Sequence, residues 1–326
     1  MYRATDTENP SSAGSGEQQS FQWQAVEWPT VAAIAGCYGI WFGMVFFGSF
    51  IPAPIWIVII GLISTFYWSL VHEVIHGHPT SDQRINDASV FLSIGWFYPV
   101  GRFRDTHLQH HATGELTDPF DDPESWYMSG PNWRQSMGLS RFILKFNNTL
   151  FGRMLIGPFI SVFRFYINEI QVIWQADEEA MRVVRSWSWH LGGVMILALI
   201  VMLSPIPLWQ VAASAYMGIS FLLVRTFLEH QACEIHGERT VIIERLCPIA
   251  FLFLFNNLHC VHHARPRIAW YKLPAYYKAH REAFIDYNNG YVYSSYFAIF
   301  RKYFFHAKEP VMHPFLRQDE ESVANS

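Results

Sequence analysis

Two long apolar stretches, each interrupted once by prolines, set the plan of the chain. No Asp, Glu, Lys or Arg occurs from Trp28 to Val71, and Ile51-Pro52-Ala53-Pro54 divides that stretch into two pieces, 29–50 and 54–72. Each is close to the roughly 20 residues a helix needs to cross a bilayer. A second stretch runs from Trp189 to about Leu228 and divides at Ser204-Pro205-Ile206-Pro207 into 189–203 and 208–229. The pattern predicts an all-α integral membrane protein with four transmembrane helices in two hairpins. Core helices buried in a large soluble protein would give shorter runs. Between the hairpins, Ala88 to Val100 is apolar but short, and Phe142 to Trp174 mixes apolar residues with Arg153, Arg164 and Glu169. Both are expected at the bilayer surface, as is Ile249 to Phe255.

The polar segments complete the plan. Residues 1–22 are rich in Ser, Gly, Glu, Gln and Thr, bury too little apolar surface to offset ordering, and are expected to form a disordered tail. No basic start runs into an apolar core there, as a secretory signal requires. Residues 23–313 then form a single membrane-embedded domain, with a helical cytosolic cap rich in Tyr, Lys, Arg and Phe beyond Pro266, and 314–326 form a flexible tail. Neither hairpin turn carries Lys or Arg, whereas the segment between the hairpins and the C-terminal segment carry nearly all of them. By the positive-inside rule, both termini and both large polar segments are cytoplasmic. Four crossings therefore bring the ends of the second and fourth spans to one face of the membrane.

Composition agrees with this class: 51% of the 326 residues are hydrophobic, 17% aromatic and only 15% charged, too apolar for an ordinary soluble protein. A net charge of -4 without a basic stripe excludes nucleic-acid binding. Cys37, Cys233, Cys247 and Cys260 are scattered without CxxC spacing, which argues against a disulfide framework, a zinc ribbon or an iron-sulfur cluster. They read as free thiols in a reducing compartment.

Candidate chemistry sits at the ends of the spans. His72 and His76 are four residues apart, one face of a helix if the second span continues into them. His107, His110 and His111 repeat that face at i, i+3 and i+4, and His259, His262 and His263 do so again. His230, at the cytoplasmic end of the fourth span, is level with them. Nine imidazoles are too many for one ion and about right for two, each with a position left open, and nitrogen donors suit iron, copper, zinc or nickel.

The motifs HEVIHGH (72–78), HLQHH (107–111) and NNLHCVHH (256–263) resemble the three histidine boxes of the membrane fatty acid desaturase and hydroxylase superfamily, with His230 in the place of its extra histidine. In order, span count and box position the resemblance covers about Trp28 to Pro310. It implies a non-haem di-iron centre ligated by His72, His76, His107, His110, His111, His230, His259, His262 and His263, with O2 as co-substrate and two electrons. Desaturation of a fatty acyl or lipid-linked chain in the bilayer is the implied reaction; hydroxylation of an amino lipid or small amphiphile at the same site is the alternative. Asp121-Asp122-Pro123-Glu124 is similar to the acidic element that follows the second box. Asp122, Glu124 and Asp118 are expected to orient ligand histidines by accepting their free N–H groups. Asn256 and Asn257 are either a cap before the third box or amides beside the metals. Two positions depart from the acyl desaturase pattern: Thr226 stands where an asparagine is common, and Glu229 directly precedes the histidine, as in the alkane hydroxylases. Thr226 and Glu229 are therefore the candidate catalytic residues steering the product. The chain is most similar to a bacterial branch that includes the rhizobitoxine-type desaturases and ornithine-lipid hydroxylases, which implies an inner-membrane location. With no flavin, ferredoxin or cytochrome signature, electrons are expected from a separate donor, a ferredoxin or similar carrier.

Two rival readings remain to be weighed. His72-Glu73-Val74-Ile75-His76 matches HExxH, the signature of zinc metalloproteases in which the glutamate is the general base. That reading leaves the second and third clusters without a job. A non-enzymatic membrane metal or haem carrier would place its ligands along the spans, which are nearly free of them. Among the other histidines, His78 is expected in a loop beside the centre, His190 as an interfacial hydrogen-bonding group, and His236, His280, His306 and His313 at the surface. Arg225, costly near the end of a span, either snorkels or pairs with Glu229.

Overall fold

A computed structural model describes residues 26–315, so both expected tails fall outside it except for residues 314 and 315. Helix α1 (Trp28–Phe47) and α2 (Ala53–Ile75) form the first hairpin. Pro52 caps α2 and Pro54 occupies its first turn, where a missing N–H costs nothing. Across the turn the Trp56 indole N–H donates to the Met44 carbonyl at 3.0 Å. The short α3 (Gln83–Ser89) and α4 (Val100–Ala112) follow, then α5 (Gly130–Gln135), α6 (Gly138–Asn147) and α7 (Leu150–Gln175). Helices α8 (Glu178–Met202) and α9 (Leu208–Glu229) make the second hairpin. The C-terminal part consists of α10 (Pro248–Leu252), α11 (His259–Ala264), α12 (Leu273–Ala279), α13 (Arg281–Tyr287) and α14 (Tyr296–Tyr303). A two-residue parallel pair, β1 (Ile242–Ile243) with β2 (Val292–Tyr293), ties this part together.

Helices α2 and α9 form the central pair. They approach closely because small residues face each other: a Cβ at Gly218 would lie 2.7 Å from the Ser64 Cβ, and one at Gly61 would lie 2.8 Å from Met217. At this crossing the Thr65 hydroxyl points at the carbonyls of Gly61 and Gly218, 2.9 Å from each. Small residues of this kind let helix backbones pack where burial from water supplies no driving force. From Tyr67 to Ile75 every residue of α2 is buried, so the helix end is enclosed by protein on all sides. By contrast α8 leaves Trp189, Leu191, Met195, Leu199 and Met202 exposed, the apolar face of a helix that meets lipid.

Ala88 to Val100, expected at the bilayer surface, packs against the surrounding helices. It is largely irregular and half-buried or buried, with Val90, Ser93 and Ile94 nearly inaccessible. Irregular backbone withdrawn from water must have its carbonyls satisfied by other groups, and here side chains from the surrounding helices do this. The carbonyl of Val90 accepts from the Tyr67 hydroxyl, Leu92 from Tyr38, Ile94 from Ser64 and Phe97 from Tyr166, while His190 Nε2 lies 2.9 Å from the Trp96 oxygen. Sequence periodicity carries no signal for such long-range capping.

By length and composition five helices among the described residues can cross a membrane: Trp28–Phe50, Ala53–Ile75, Leu150–Gln175, Glu178–Met202 and Leu208–Glu229. The third of these, α7, lies where a surface segment is expected, and its contacts explain how it can be both long and apolar. Near its start Phe151 N–H donates to the Phe304 carbonyl, in the C-terminal part. Toward its other end Glu169 accepts from Arg102 of α4 and from Trp187 near the start of α8. Both ends are thus held by elements on the histidine side. Phe151, Leu155, Phe159, Phe163, Ile167, Ile170 and Trp174 form one exposed stripe along it.

Gly218→Val places branched carbons into the α2–α9 crossing and is expected to cost about 1–3 kcal/mol. A clear fall in the apparent melting temperature of detergent-purified protein, relative to Gly192→Ala where the space is open, checks this; equal melting for the two variants would refute it.

Candidate metal centre

The histidines reach one place from four segments. His72 lies in the last turn of α2 and His76 caps it. His107, His110 and His111 lie on α4, His230 follows directly on α9 in extended conformation, and His259, His262 and His263 lie on α11. Helix α11 is fixed from below: the Cys260 N–H donates to the Val241 carbonyl, and the Asn257 amide donates to the Ile243 carbonyl at 2.6 Å. All nine imidazoles converge, in two groups. His72, His76, His107, His111 and His262 form one; His110, His230, His259 and His263 form the other, each with ligand atoms within 4.8 Å of one another.

Hydrogen bonding at the outer nitrogens decides what faces inward. His107 Nδ1 lies 2.8 Å from Glu124 Oε1, and His110 Nδ1 lies 2.8 Å from Asp122 Oδ1. His259 Nδ1 lies 3.2 Å from Asn256 Oδ1 and 3.5 Å from Glu229 Oε1. A carboxylate or amide oxygen only accepts, so these nitrogens carry protons and, in the neutral ring, each Nε2 presents a lone pair. Those lone pairs meet other ring nitrogens: His107 Nε2 is 3.2 Å from His76 Nε2 and 3.1 Å from His111 Nε2. His230 Nε2 is 3.0 Å from His110 Nε2 and 2.9 Å from His259 Nε2, and as a single N–H it can serve only one of them. The Nε2 atoms of His72 and His263 are buried without a partner. So many inward lone pairs are reconciled by cations between them, and the residues present therefore fit a metal centre.

Burial and neighbouring imidazoles push His76 down to about 2 and His111 to about 3, and drive His230, His259, His262 and His263 well below the usual histidine value. These rings stay neutral at physiological pH, the form that binds metal. His110 differs: burial lowers it, but Glu124 and Asp122 together outweigh burial and raise it to about 9. A cation at its Nε2 competes with that proton, and the same carboxylates then strengthen the ring as a donor.

The expected supporting residues divide. Asp122 and Glu124 hold histidine N–H groups, whereas Asp118 Oδ1 accepts from the backbone amides of Phe120 and Asp121 and shapes the loop. Asn256 bridges, donating to Glu229 Oε1 at 2.7 Å while facing His259. Asn257 holds β1 rather than a histidine. Glu229 is buried against Arg225, 2.9 Å away at an angle too poor for a hydrogen bond, and faces His259 both directly and through Asn256. Thr226 borders a cavity with its hydroxyl unpartnered. Glu73, the base of the HExxH reading, accepts the Trp270 N–H at 3.1 Å behind the helix instead of facing the histidines. His78 is paired with Glu27 at 2.8 Å, and His313 is buried beside Thr117 rather than at the surface.

That cavity lies beside the four-histidine group and is lined by Asp122, Glu124, Thr226 and His230 together with Arg153 and Lys308. Sequence reasoning missed the last two. Arg153 was visible only as a charge inside an apolar segment, and Lys308 only as part of a basic cap.

No individually curated protein matches the chain. The model of the fatty acid desaturase family matches residues 49–295, about three quarters of the sequence and all four histidine-bearing segments. The chain belongs to the fatty acid desaturase family.

Proposed function

We propose that this membrane oxidoreductase holds two irons in its nine-histidine cluster and uses O2 and two electrons to desaturate a fatty acyl or lipid-linked chain. The observation that supports the reading most is the division of the nine imidazoles into groups of five and four, a donor set for two ions rather than one. Irons held there would supply the oxygen activation needed to remove hydrogen from an unactivated carbon. The chain's own residues prepare for this. Glu124, Asp122 and Asn256 fix the protons of His107, His110 and His259 on Nδ1, so that Nε2 is free without rearrangement. Glu229, held by Arg225, keeps Asn256 in place. Enclosure of the α2 end keeps bulk water from the rings. Hydroxylation of an amino lipid or small amphiphile shares this site, and Thr226, whose hydroxyl borders the cavity, is the residue to vary when separating the two outcomes.

Four helices cross the bilayer in this reading, and α7 lies along its surface with its exposed stripe in lipid. The turns Ile51–Pro54 and Ser204–Pro207 lie outside, while the termini and the centre are cytoplasmic, in a bacterial inner membrane. Electrons come from a separate ferredoxin-like carrier.

Elemental analysis of detergent-purified wild type is expected to give about two irons per chain, and His262→Ala and His230→Ala, one from each group, about one or fewer. Lipid extracts of cells expressing the wild type should show molecules short of two hydrogens, or richer by one oxygen if the protein hydroxylates, that are missing with His262→Ala. A single zinc that survives His262→Ala would return the HExxH reading.

Glu124→Ala should weaken metal retention against a chelator by about 10–100-fold, and Glu124→Gln, which keeps an acceptor for His107, by less. Equal retention by both variants and wild type would remove Glu124 from the centre.

Orientation is checked with a membrane-impermeant maleimide on spheroplasts. Ser204→Cys should label in intact cells, while Cys233 labels only after lysis; the reverse pattern would invert the topology.

A further inference from the structure

Among the described residues three arginines are almost fully buried, and their partners differ. Arg102, 3% exposed, faces Glu169 at 2.9 Å, Asp105 at 3.0 Å and Glu179 at 3.7 Å. Arg225, 5% exposed, faces Glu229. Arg153, 4% exposed, has no carboxylate partner among the described residues. Its Nε donates to the Asn147 carbonyl at 3.0 Å, and its guanidinium carbon stacks 3.7 Å from the Trp126 ring centroid and 5.5 Å from that of Phe227. Nη1 and Nη2 have no hydrogen-bond partner among the described residues.

A guanidinium taken out of water without a counter-ion is unfavourable. Stacking satisfies its faces but leaves the outer edge, with its fork of N–H donors, open. That edge matches the paired oxygens of a carboxylate or phosphate. Arg153 borders the same cavity as Thr226 and His230. The other cation there, Lys308, is already matched by Glu309 at 3.2 Å and donates to the His230 carbonyl. Asp122 and Glu124 are engaged with histidines, so among the charged side chains that line the cavity Arg153 is the one without an opposite charge.

We propose that the cavity beside the four-histidine group is the receptor for an oxyanion carried by the substrate, a carboxylate or phosphate, held by the open edge of Arg153 on its Trp126 platform. The substrate is then an amphiphile whose charged end enters the cavity. Calling the ligand a substrate rests on the oxidative function proposed above; the anion site itself does not.

The test is isothermal titration of the full chain in uncharged maltoside detergent with decanoate, decyl phosphate and decanol. Wild type should bind one of the two acids about tenfold or more tighter than decanol, the order of effect of one charge-assisted contact, and the preferred acid identifies the anion. Arg153→Met should bring acid and alcohol within about threefold while iron content and decanol affinity are unchanged. Glu309→Gln, which removes a negative charge from the cavity wall, should raise acid affinity about threefold or more, a gain that mere destabilisation does not produce. Equal binding of all three probes by wild type overturns the proposal, as does a preference that survives in folded Arg153→Met. Where Arg153→Met does not yield monodisperse protein, Glu309→Gln decides: a gain supports the site and no gain overturns it. Wild type that lacks iron but still prefers an acid would sink the oxidative reading and leave the anion site standing.

Discussion

Ring nitrogens that carry lone pairs repel one another at about 3 Å, and nine buried or half-buried imidazoles, several held at that spacing, are stable together only with cations among them or with protons that burial opposes. The rest of the molecule is arranged around that conflict. Carboxylates and an amide at His107, His110 and His259 remove the freedom of the rings to turn their N–H groups inward and relieve it. The cost of holding lone pairs face to face is thus carried by the scaffold before any metal arrives, which is what preorganisation of a metal site means physically.

A scaffold able to do this has to be rigid where the rings attach. The α2–α9 crossing, closed to near backbone contact at Gly61 and Gly218, delivers His72 and His76 on one helix and His230 on the other to the same level. Helix α4 is locked from outside by the buried Arg102–Glu169 pair, which also draws the end of α7 back to the histidine side. Helix α11 hangs from β1 through Cys260 and Asn257. Each histidine-bearing segment therefore has its own anchor, and none relies on the metal alone for its place.

Much of this was legible in the chain, for reasons that can be stated. The hairpins follow from the absence of charge and from proline at the turns, and the i, i+3, i+4 spacing of histidines is a property of a single helix. How the rings divide is not. Helix α4 gives His107 and His111 to one group and His110 to the other, while α11 splits the opposite way, with His262 apart from His259 and His263. That division depends on the angles at which segments far apart in sequence approach. The same holds for Ala88 to Val100, whose carbonyls are capped by tyrosines and a serine 23 to 69 positions away. It holds for α7 as well, whose length and composition would allow a span and whose ends are tied to α4, α8 and the C-terminal part by residues far away in sequence. Asn257 and Asp118 sit beside motif residues yet serve the backbone, because adjacency in sequence does not set the direction of a side chain.

Charge connects the centre to the cavity beside it. Imidazole donors contribute no negative charge, so divalent cations bound there would be countered by the neighbouring Asp122, Glu124 and Glu229, and Arg225 offsets one of these. A centre so loaded would be net positive, in surroundings of low dielectric where such a field reaches its neighbours with little screening. Arg153 adds to that field from the cavity wall instead of balancing it. A cation placed beside a positive centre, stacked on an indole and left without an acid, is tolerable in a fold that otherwise pairs its buried arginines only when the missing negative charge arrives with the ligand.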